Sequence, residues 1–337
     1  HYVPGDDATK TNGTACIPCE AGDYKSVLGP ADCVACGANT YQPVSGATSP
    51  ANCTDCMAHA ETDPLSPTGH ATILSCMCIS GYFHVTDTDC EPCRPGSFNP
   101  LRNQTQCTNC SAGFASATPN ATANATCQAC AENSYAYEGQ DRCTPCGRHA
   151  VSPAGSGSVL DCQCEAGFTG TDGAVCRSCD AGTFKASVGA GNCSLCPAGT
   201  ASPTRNATSN TTCVTCAAGT FALARSSVCT TCSENSHTAS NGSTSQADCK
   251  CDAGFTGPDG GPCTACPQGT FKVSAGSHNC SLCPEGTSST SRAAVSNATC
   301  QTCLTGSYAE AGSANCTICP SNSRSSANGS TSVAACA

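Results

Sequence analysis

Residues 179–200 read CDAGTFKASVGAGNCSLCPAGT, and residues 266–287 read CPQGTFKVSAGSHNCSLCPEGT. The two stretches share the run Gly-Thr-Phe-Lys (Gly182–Lys185 and Gly269–Lys272) and a C-x-x-C pair at the same depth (Cys193/Cys196 and Cys280/Cys283). Outward from there, C-x-x-C recurs as Cys16/Cys19, Cys33/Cys36, Cys53/Cys56, Cys90/Cys93 and onward to Cys316/Cys319. A tighter C-x-C interrupts the string three times, at Cys76/Cys78, Cys162/Cys164 and Cys249/Cys251, with spacings of 86 and 87 residues. From Cys78 the loops between successive pairs hold 11, 13, 16, 12 and 15 residues; from Cys164 and from Cys251 they hold 11, 13, 16, 12 and 16. Self-similarity at a fixed period marks a linear array of near-identical units.

The expected organisation is a degenerate N-terminal cysteine-rich unit over residues 1–75 and three superrepeats over 76–161, 162–248 and 249–337. The first unit lacks one C-x-x-C pair and has a longer last loop, as terminal repeats often do. The chain opens on His1 and stops just after Cys336, where a fourth doublet would begin. The expectation is a mature product or a piece of a longer protein.

Composition explains why the cysteines matter. They number 37 of 337 residues, a density that signals a disulfide scaffold. Leu, Ile, Val and Phe together make up only about a tenth of the chain, and Trp is absent. A chain this poor in large apolar residues needs cross-links in place of a core. The fold class follows: small disulfide-rich β-hairpin and turn modules in an elongated array, with almost no helix. Gly, Pro, Asn, Ser and Thr dominate between the cysteines, which favours turns and short strands. The recurrent aromatic (Tyr24, Tyr41, Phe98, Phe114, Tyr135, Phe168, Phe184, Phe221, Phe255, Phe271, Tyr308) mostly follows a Gly by one or two places. Its expected role is packing over a disulfide, with sugar stacking as the alternative. The preceding Gly, such as Gly182 or Gly269, is expected to supply a positive φ in a turn.

Asparagine argues the compartment independently. Fourteen of nineteen Asn lie in N-x-S/T: Asn12, Asn52, Asn103, Asn109, Asn120, Asn124, Asn192, Asn206, Asn210, Asn241, Asn279, Asn297, Asn315 and Asn328. Chance in a chain about one quarter Ser and Thr would give only about five. N-linked glycans on exposed loops of a secreted protein are therefore expected. Ser/Thr clusters with Pro at 201–212 and 321–332 add a compositional signal for O-glycans. No apolar run is long enough to span a membrane, so no direct membrane insertion is expected in this segment. Net charge is −10 with fourteen scattered Lys and Arg, which speaks against nucleic-acid binding.

Two pairing schemes fit the cysteine arithmetic. In a ladder, the second cysteine of each pair bonds the first of the next: Cys19–Cys33, Cys36–Cys53, Cys56–Cys76, Cys78–Cys90, and so on to Cys319–Cys336. Cys16 would then bond upstream of the chain. In a crossed scheme, first pairs with third and second with fourth, as in tumour-necrosis-factor-receptor modules. The ladder is the favoured expectation.

The residues around the cysteines resemble the ephrin-receptor-like cysteine-rich repeat, whose core reads C-x-x-C-x-x-G-[T/S]-[F/Y] followed by another C-x-x-C. The segments Cys164-Glu-Ala-Gly-Phe-Thr-Gly and Cys251-Asp-Ala-Gly-Phe-Thr-Gly resemble the second half of an EGF-like module, with Cys78-Ile-Ser-Gly-Tyr as a looser cousin. That half implies the bonds Cys164–Cys176 and Cys251–Cys263. Small-residue composition and dense sequons also make the chain similar to algal cell-surface and flagellar-hair (mastigoneme) glycoproteins.

No chemistry-bearing constellation stands out. Zinc ribbons use reduced thiolates, whereas the sequons point to an oxidising compartment. A thioredoxin-type motif needs a βαβ context. The seven His (His1, His59, His70, His84, His149, His237, His278) are scattered, and His59, His149 and His237 sit at similar depth after a pair, which reads as repeat inheritance. Asp87, Asp89, Asp172 and Asp259 read as turn residues. The expectation is a non-enzymatic extracellular structural glycoprotein at the cell surface, with no catalytic residues, metal or cofactor. It would be a rigid repeat rod that self-associates into a homopolymer, a surface filament or a flagellar hair. The alternative is the ligand-binding ectodomain of a cell-surface receptor.

Overall fold

The computed structural model describes residues 17–29, 31–66 and 68–337, so Cys16 and Asn12 lie outside the described residues. Its building block is a hairpin of two two-residue strands. Thr183–Phe184 pairs antiparallel with Ser194–Leu195, Thr183 opposite Leu195 and Phe184 opposite Ser194. The second strand is thus the pair of inner residues of a C-x-x-C. The same register joins Thr270–Phe271 to Ser281–Leu282 and Ser307–Tyr308 to Thr317–Ile318. The longest hairpin pairs Tyr82–Thr86 with Asp89–Pro92 across an irregularity between His84 and Thr86.

The two cysteines of a pair close different loops, whether two residues stand between them or one, as at Cys162 and Cys164. Cys193 bonds back to Cys179, and Cys196 bonds forward to Cys213. Eighteen bridges repeat this rule from Cys19–Cys33 to Cys319–Cys336. Separations run 12, 14, 17, 13 and 16 from Cys78, then 12, 14, 17, 13 and 17 from Cys164 and again from Cys251. Loops of this size are each stabilised by about 3 kcal/mol in the chain-entropy account.

Helix is confined, among the described residues, to three-residue 3₁₀ turns, several of which lead into a cysteine: Val159–Asp161 before Cys162 and Gln246–Asp248 before Cys249. In both, the cap Ser and the third helical Asp bond each other's backbone (Ser158 with Asp161, Ser245 with Asp248), a reciprocal cap that satisfies the orphan N–H groups. No helix among the described residues is long and apolar enough to cross a membrane.

The interior is built from sulfur and small groups. Cys36, Cys78, Cys110, Cys164, Cys196 and Cys251 are fully buried, with Ala136 and Ala222 among them, while Leu195 and Ile318 lie exposed. A second buried series is polar and directly follows the first strand of a hairpin: Lys25, Gln42, Asn99, Ser116, Lys185, Ser202 and Lys272.

Within a unit, backbone hydrogen bonds join successive hairpins. Gly182 N–H donates to Ser202 O (2.8 Å), Lys185 N–H to Ala207 O (2.9 Å), and Asn206 N–H to Cys179 O (3.0 Å). Phe184 and Ala207 form a parallel bridge. The chain divides into two compact units, His1–Gln163 with Asp172–Val175, and Cys164–Thr171 with Cys176–Ala337. The same bonding recurs inside the first unit, where Gly96 N–H donates to Ser116 O (2.7 Å) and Asn120 N–H to Cys93 O (2.9 Å).

Glycine is required for two reasons at once. Gly182 has φ +78°, and a Cβ there would collide with the carbonyl oxygen of Arg225, two hairpins downstream. Gly96 and Gly269 meet Gly139 and Gly312 in the same way. Replacing Gly182 by Ala should therefore cost about 1–3 kcal/mol, because left-handed strain and the displaced Arg225 segment add. Native-state hydrogen exchange should show loss of protection at the amides of Cys196 and Arg225. Gly147→Ala, with open space around its Cβ and no positive φ, should shift stability by no more than about 0.5 kcal/mol.

Candidate functional site

All thirteen described sequon asparagines are exposed. They fall into three local settings. Asn124, Asn210 and Asn297 open 3₁₀ turns. Asn103, Asn120 and Asn206 sit in the left-handed region at φ 58°, 53° and 56°, and Asn241 and Asn328 precede the left-handed Gly242 and Gly329. The remaining five, Asn52, Asn109, Asn192, Asn279 and Asn315, each stand immediately before a disulfide-bonded cysteine.

The sequon hydroxyls have structural work of their own. Thr126, Thr212 and Thr299 donate to the carbonyls of Ala123, Ser209 and Ser296 at 2.9, 3.0 and 3.0 Å. Ser243 and Ser330 do the same to Ser240 and Ala327 at 3.1 and 2.9 Å. The first strand of many hairpins opens similarly, with Thr183 bonded to Asp180 O (2.7 Å) and Thr270 to Pro267 O (2.8 Å). A hydroxyl reaching back three residues closes a turn where no apolar packing holds it. Much of the Ser/Thr content that reads as glycosylation signal is therefore also turn chemistry.

Sequence reasoning left the lysines unassigned. Lys185 Nζ donates to Phe168 O (2.7 Å) and Gly189 O, deep within its hairpin pair. Lys272 Nζ donates to Phe255 O (2.6 Å), Cys251 O (3.4 Å) and Gly276 O. Lys25 Nζ reaches Gly29 O and Ala31 O. Burial lowers the Lys272 amine from the ordinary lysine range, opposed by the charges of Asp252 and Asp259. In the corresponding place the amide of Asn99 bonds Tyr82 O (2.8 Å). An ammonium with three donors can satisfy several inward carbonyls at once. The available signal was its fixed place directly after the aromatic.

The histidines do not converge. His59 and His149 hold the left-handed position, φ 64° and 60°, that other hairpins give to Gly or Asn. His59 stacks on Tyr82 with ring centroids 4.1 Å apart, and His237 pairs with Asp252 at the surface. Cys78, His84 and Cys90 lie close enough to suggest a metal trio. The two sulfurs are bonded to each other, so neither is a thiolate ligand. His84 Nε2 instead accepts from the Cys78 N–H at 3.3 Å. Surface concavities, such as the ≈ 370 Å³ groove lined by Pro153, Gly155, Leu160 and Asp161, open to solvent.

Known proteins share these repeats. Residues 7–53, 167–213 and 254–300 match the family described as tyrosine-protein kinase ephrin type A/B receptor-like. The matched segments end on Cys53, Cys213 and Cys300, each of which closes a bridge of separation 17. The variant-specific surface protein VSP4A1 of Giardia intestinalis is 30% identical over 288 residues, covering 79% of this chain and 39% of that protein's length. Ephrin type-B receptor 1 of Gallus gallus is 56% identical over 36 residues, 11% of this chain and 4% of the receptor. The chain is a cysteine-rich repeat protein carrying ephrin-receptor-like modules, and its disulfide density and relatives mark it as extracellular or cell-surface.

Lys185→Met should remove the ammonium's bonds to the carbonyls of Phe168 and Gly189, at about 2–4 kcal/mol. Hydrogen exchange at the Gly189 amide should accelerate, while the hairpins beyond Cys229 stay unchanged. The Asp248 carboxyl is held below its ordinary value by the backbone N–H groups of Ser245 and Thr244. Because the folded value is the lower one, its capping contribution is present above the unfolded value and is lost as pH falls through the folded value. A carboxyl NMR titration should place the Asp248 midpoint below 3.8.

Proposed function

We propose that this chain is a non-enzymatic structural glycoprotein of the cell surface, a stiff repeat array that self-associates into a filament or flagellar hair. One observation carries the reading: within each unit, successive hairpins are fastened by a disulfide and by backbone bonds, as from Gly182 to Ser202 and Asn206 to Cys179. Such an array resists bending and proteolysis without needing a large core. Recurrence of one module at a fixed step suits head-to-tail or lateral association, because a single contact can repeat along the chain. The exposed asparagines support N-glycans along its length. The division into a degenerate first unit and three superrepeats belongs to the same proposal.

Absence of enzymatic activity is part of this reading. The surface offers open grooves, and the titratable pairs it carries, such as His237 with Asp252, are half exposed. The receptor-ectodomain reading draws on the same modules and would require a unit that departs from the repeat to build a binding patch. The shared stretch with the Gallus gallus receptor spans 36 residues, the size of a module rather than of a binding domain.

Multi-angle light scattering on the purified native protein over a concentration series tests the filament. Mass that grows with concentration, with fibrils in negative-stain images, is expected. A constant monomer mass at the highest concentration would remove filament assembly from the reading.

A further inference from the structure

We propose that four of the sequons are redox-conditional glycan sites, whose occupancy is decided by a race between glycan transfer and closure of the adjacent disulfide. The inference rests on the glycoprotein reading and concerns Asn52, Asn192, Asn279 and Asn315. In each, the middle residue of the tripeptide is a bridged cysteine: Cys53 to Cys36, Cys193 to Cys179, Cys280 to Cys266 and Cys316 to Cys303. The hydroxyl residue that completes the tripeptide sits in the second strand, opposite the recurrent aromatic. Thr54 faces Tyr41, Ser194 faces Phe184, Ser281 faces Phe271 and Thr317 faces Tyr308.

A glycan transferase must bend the tripeptide so that the hydroxyl approaches the asparagine amide, as in an Asx-type turn. In transfer, Nδ2 loses one proton to a base and bonds the anomeric carbon of a lipid-linked oligosaccharide, whose lipid pyrophosphate departs. In closure, the two thiols give up two protons and two electrons to an external disulfide carrier, which leaves as a dithiol. Once closure occurs, the middle residue is pinned and the hydroxyl residue is committed to an extended strand, so the bend is lost. Whichever reaction comes first excludes or permits the other.

Chain order sets the timing. In all four sites the partner cysteine is upstream, so closure can begin as soon as the sequon cysteine enters the oxidising compartment. Asn109 is the built-in contrast. Its middle residue, Cys110, bonds Cys127, which follows 17 residues later. At about 5–20 residues per second that delay adds roughly 1–3 s, comparable to the fastest disulfide formation. Asn109 therefore keeps its transfer window open longer than the other four. Sequons without a central cysteine, such as Asn124, Asn206 and Asn297, face no such race.

The test is site-resolved occupancy by mass spectrometry, with glycan release in heavy-oxygen water. The full chain is secreted from eukaryotic cells with and without a mild dithiol reductant during synthesis. Without reductant, Asn109 should be more occupied than Asn52, Asn192, Asn279 and Asn315. With reductant, occupancy of those four should rise by about twofold or more, as closure slows past the transfer time, while Asn124, Asn206 and Asn297 stay constant. Cys179→Ser offers a local version without reductant: occupancy should rise at Asn192 and remain unchanged at Asn279. Four sites as occupied as Asn109 and insensitive to reductant, with glycan present at Asn124 and Asn297, would overturn the race alone. Absence of glycan from every sequon would overturn the glycoprotein reading itself and the race with it.

Discussion

The fold depends on one constraint: the two cysteines of a pair, whether spaced C-x-x-C or C-x-C, bond to different loops. One sulfur must close the loop behind and the other must open the loop ahead. Connectivity, module size and the serial order of hairpins all follow from that. Each bridge closes a short loop, so the order lost in unfolding is regained locally, loop by loop. Cross-linking in this way takes over what apolar burial does in ordinary domains, where a chain with so few large aliphatics would stay unfolded.

With sulfur at the centre, the remaining interior space is small and polar. Alanines fill it in some hairpins, hydroxyls in others, and a lysine ammonium in three of them, at Lys25, Lys185 and Lys272. These are different answers to one problem, the inward carbonyls left by very short strands. Around Lys272 the buried charge is held by backbone carbonyls, with the charges of Asp252 and Asp259 adding attraction. The same shortage of packing explains the hydroxyls that bond three residues back, which stiffen each turn from within.

For function, the consequence is a surface that repeats its features from hairpin to hairpin. A repeated feature can serve assembly, spacing or display of glycans, each of which multiplies with the number of copies. Glycans at Asn52, Asn192, Asn279 and Asn315, as proposed, would tie the covalent surface to the folding history of each loop.

Much of this was legible in the residues. The pair spacing and the absence of helix-period apolar runs pointed to disulfide-pinned hairpins, and Gly182 and Gly269 carried the mark of a positive φ. Two pairing schemes stayed open because spacing does not say which sulfurs meet; the structure joins Cys193 to Cys179 and Cys196 to Cys213. The role of His59 and His149 as left-handed turn residues was hidden, since histidine there looks like chemistry until φ is known. By itself, then, the sequence determined the module, its period and its need for an oxidising environment, because these are properties of local spacing and composition. Tertiary structure decided which carbonyls the lysines satisfy, why Gly182 must lack a Cβ against Arg225, and which sequons lie beside a bridge to an upstream cysteine. Those depend on segments brought together across two or three hairpins, and no local pattern encodes that proximity.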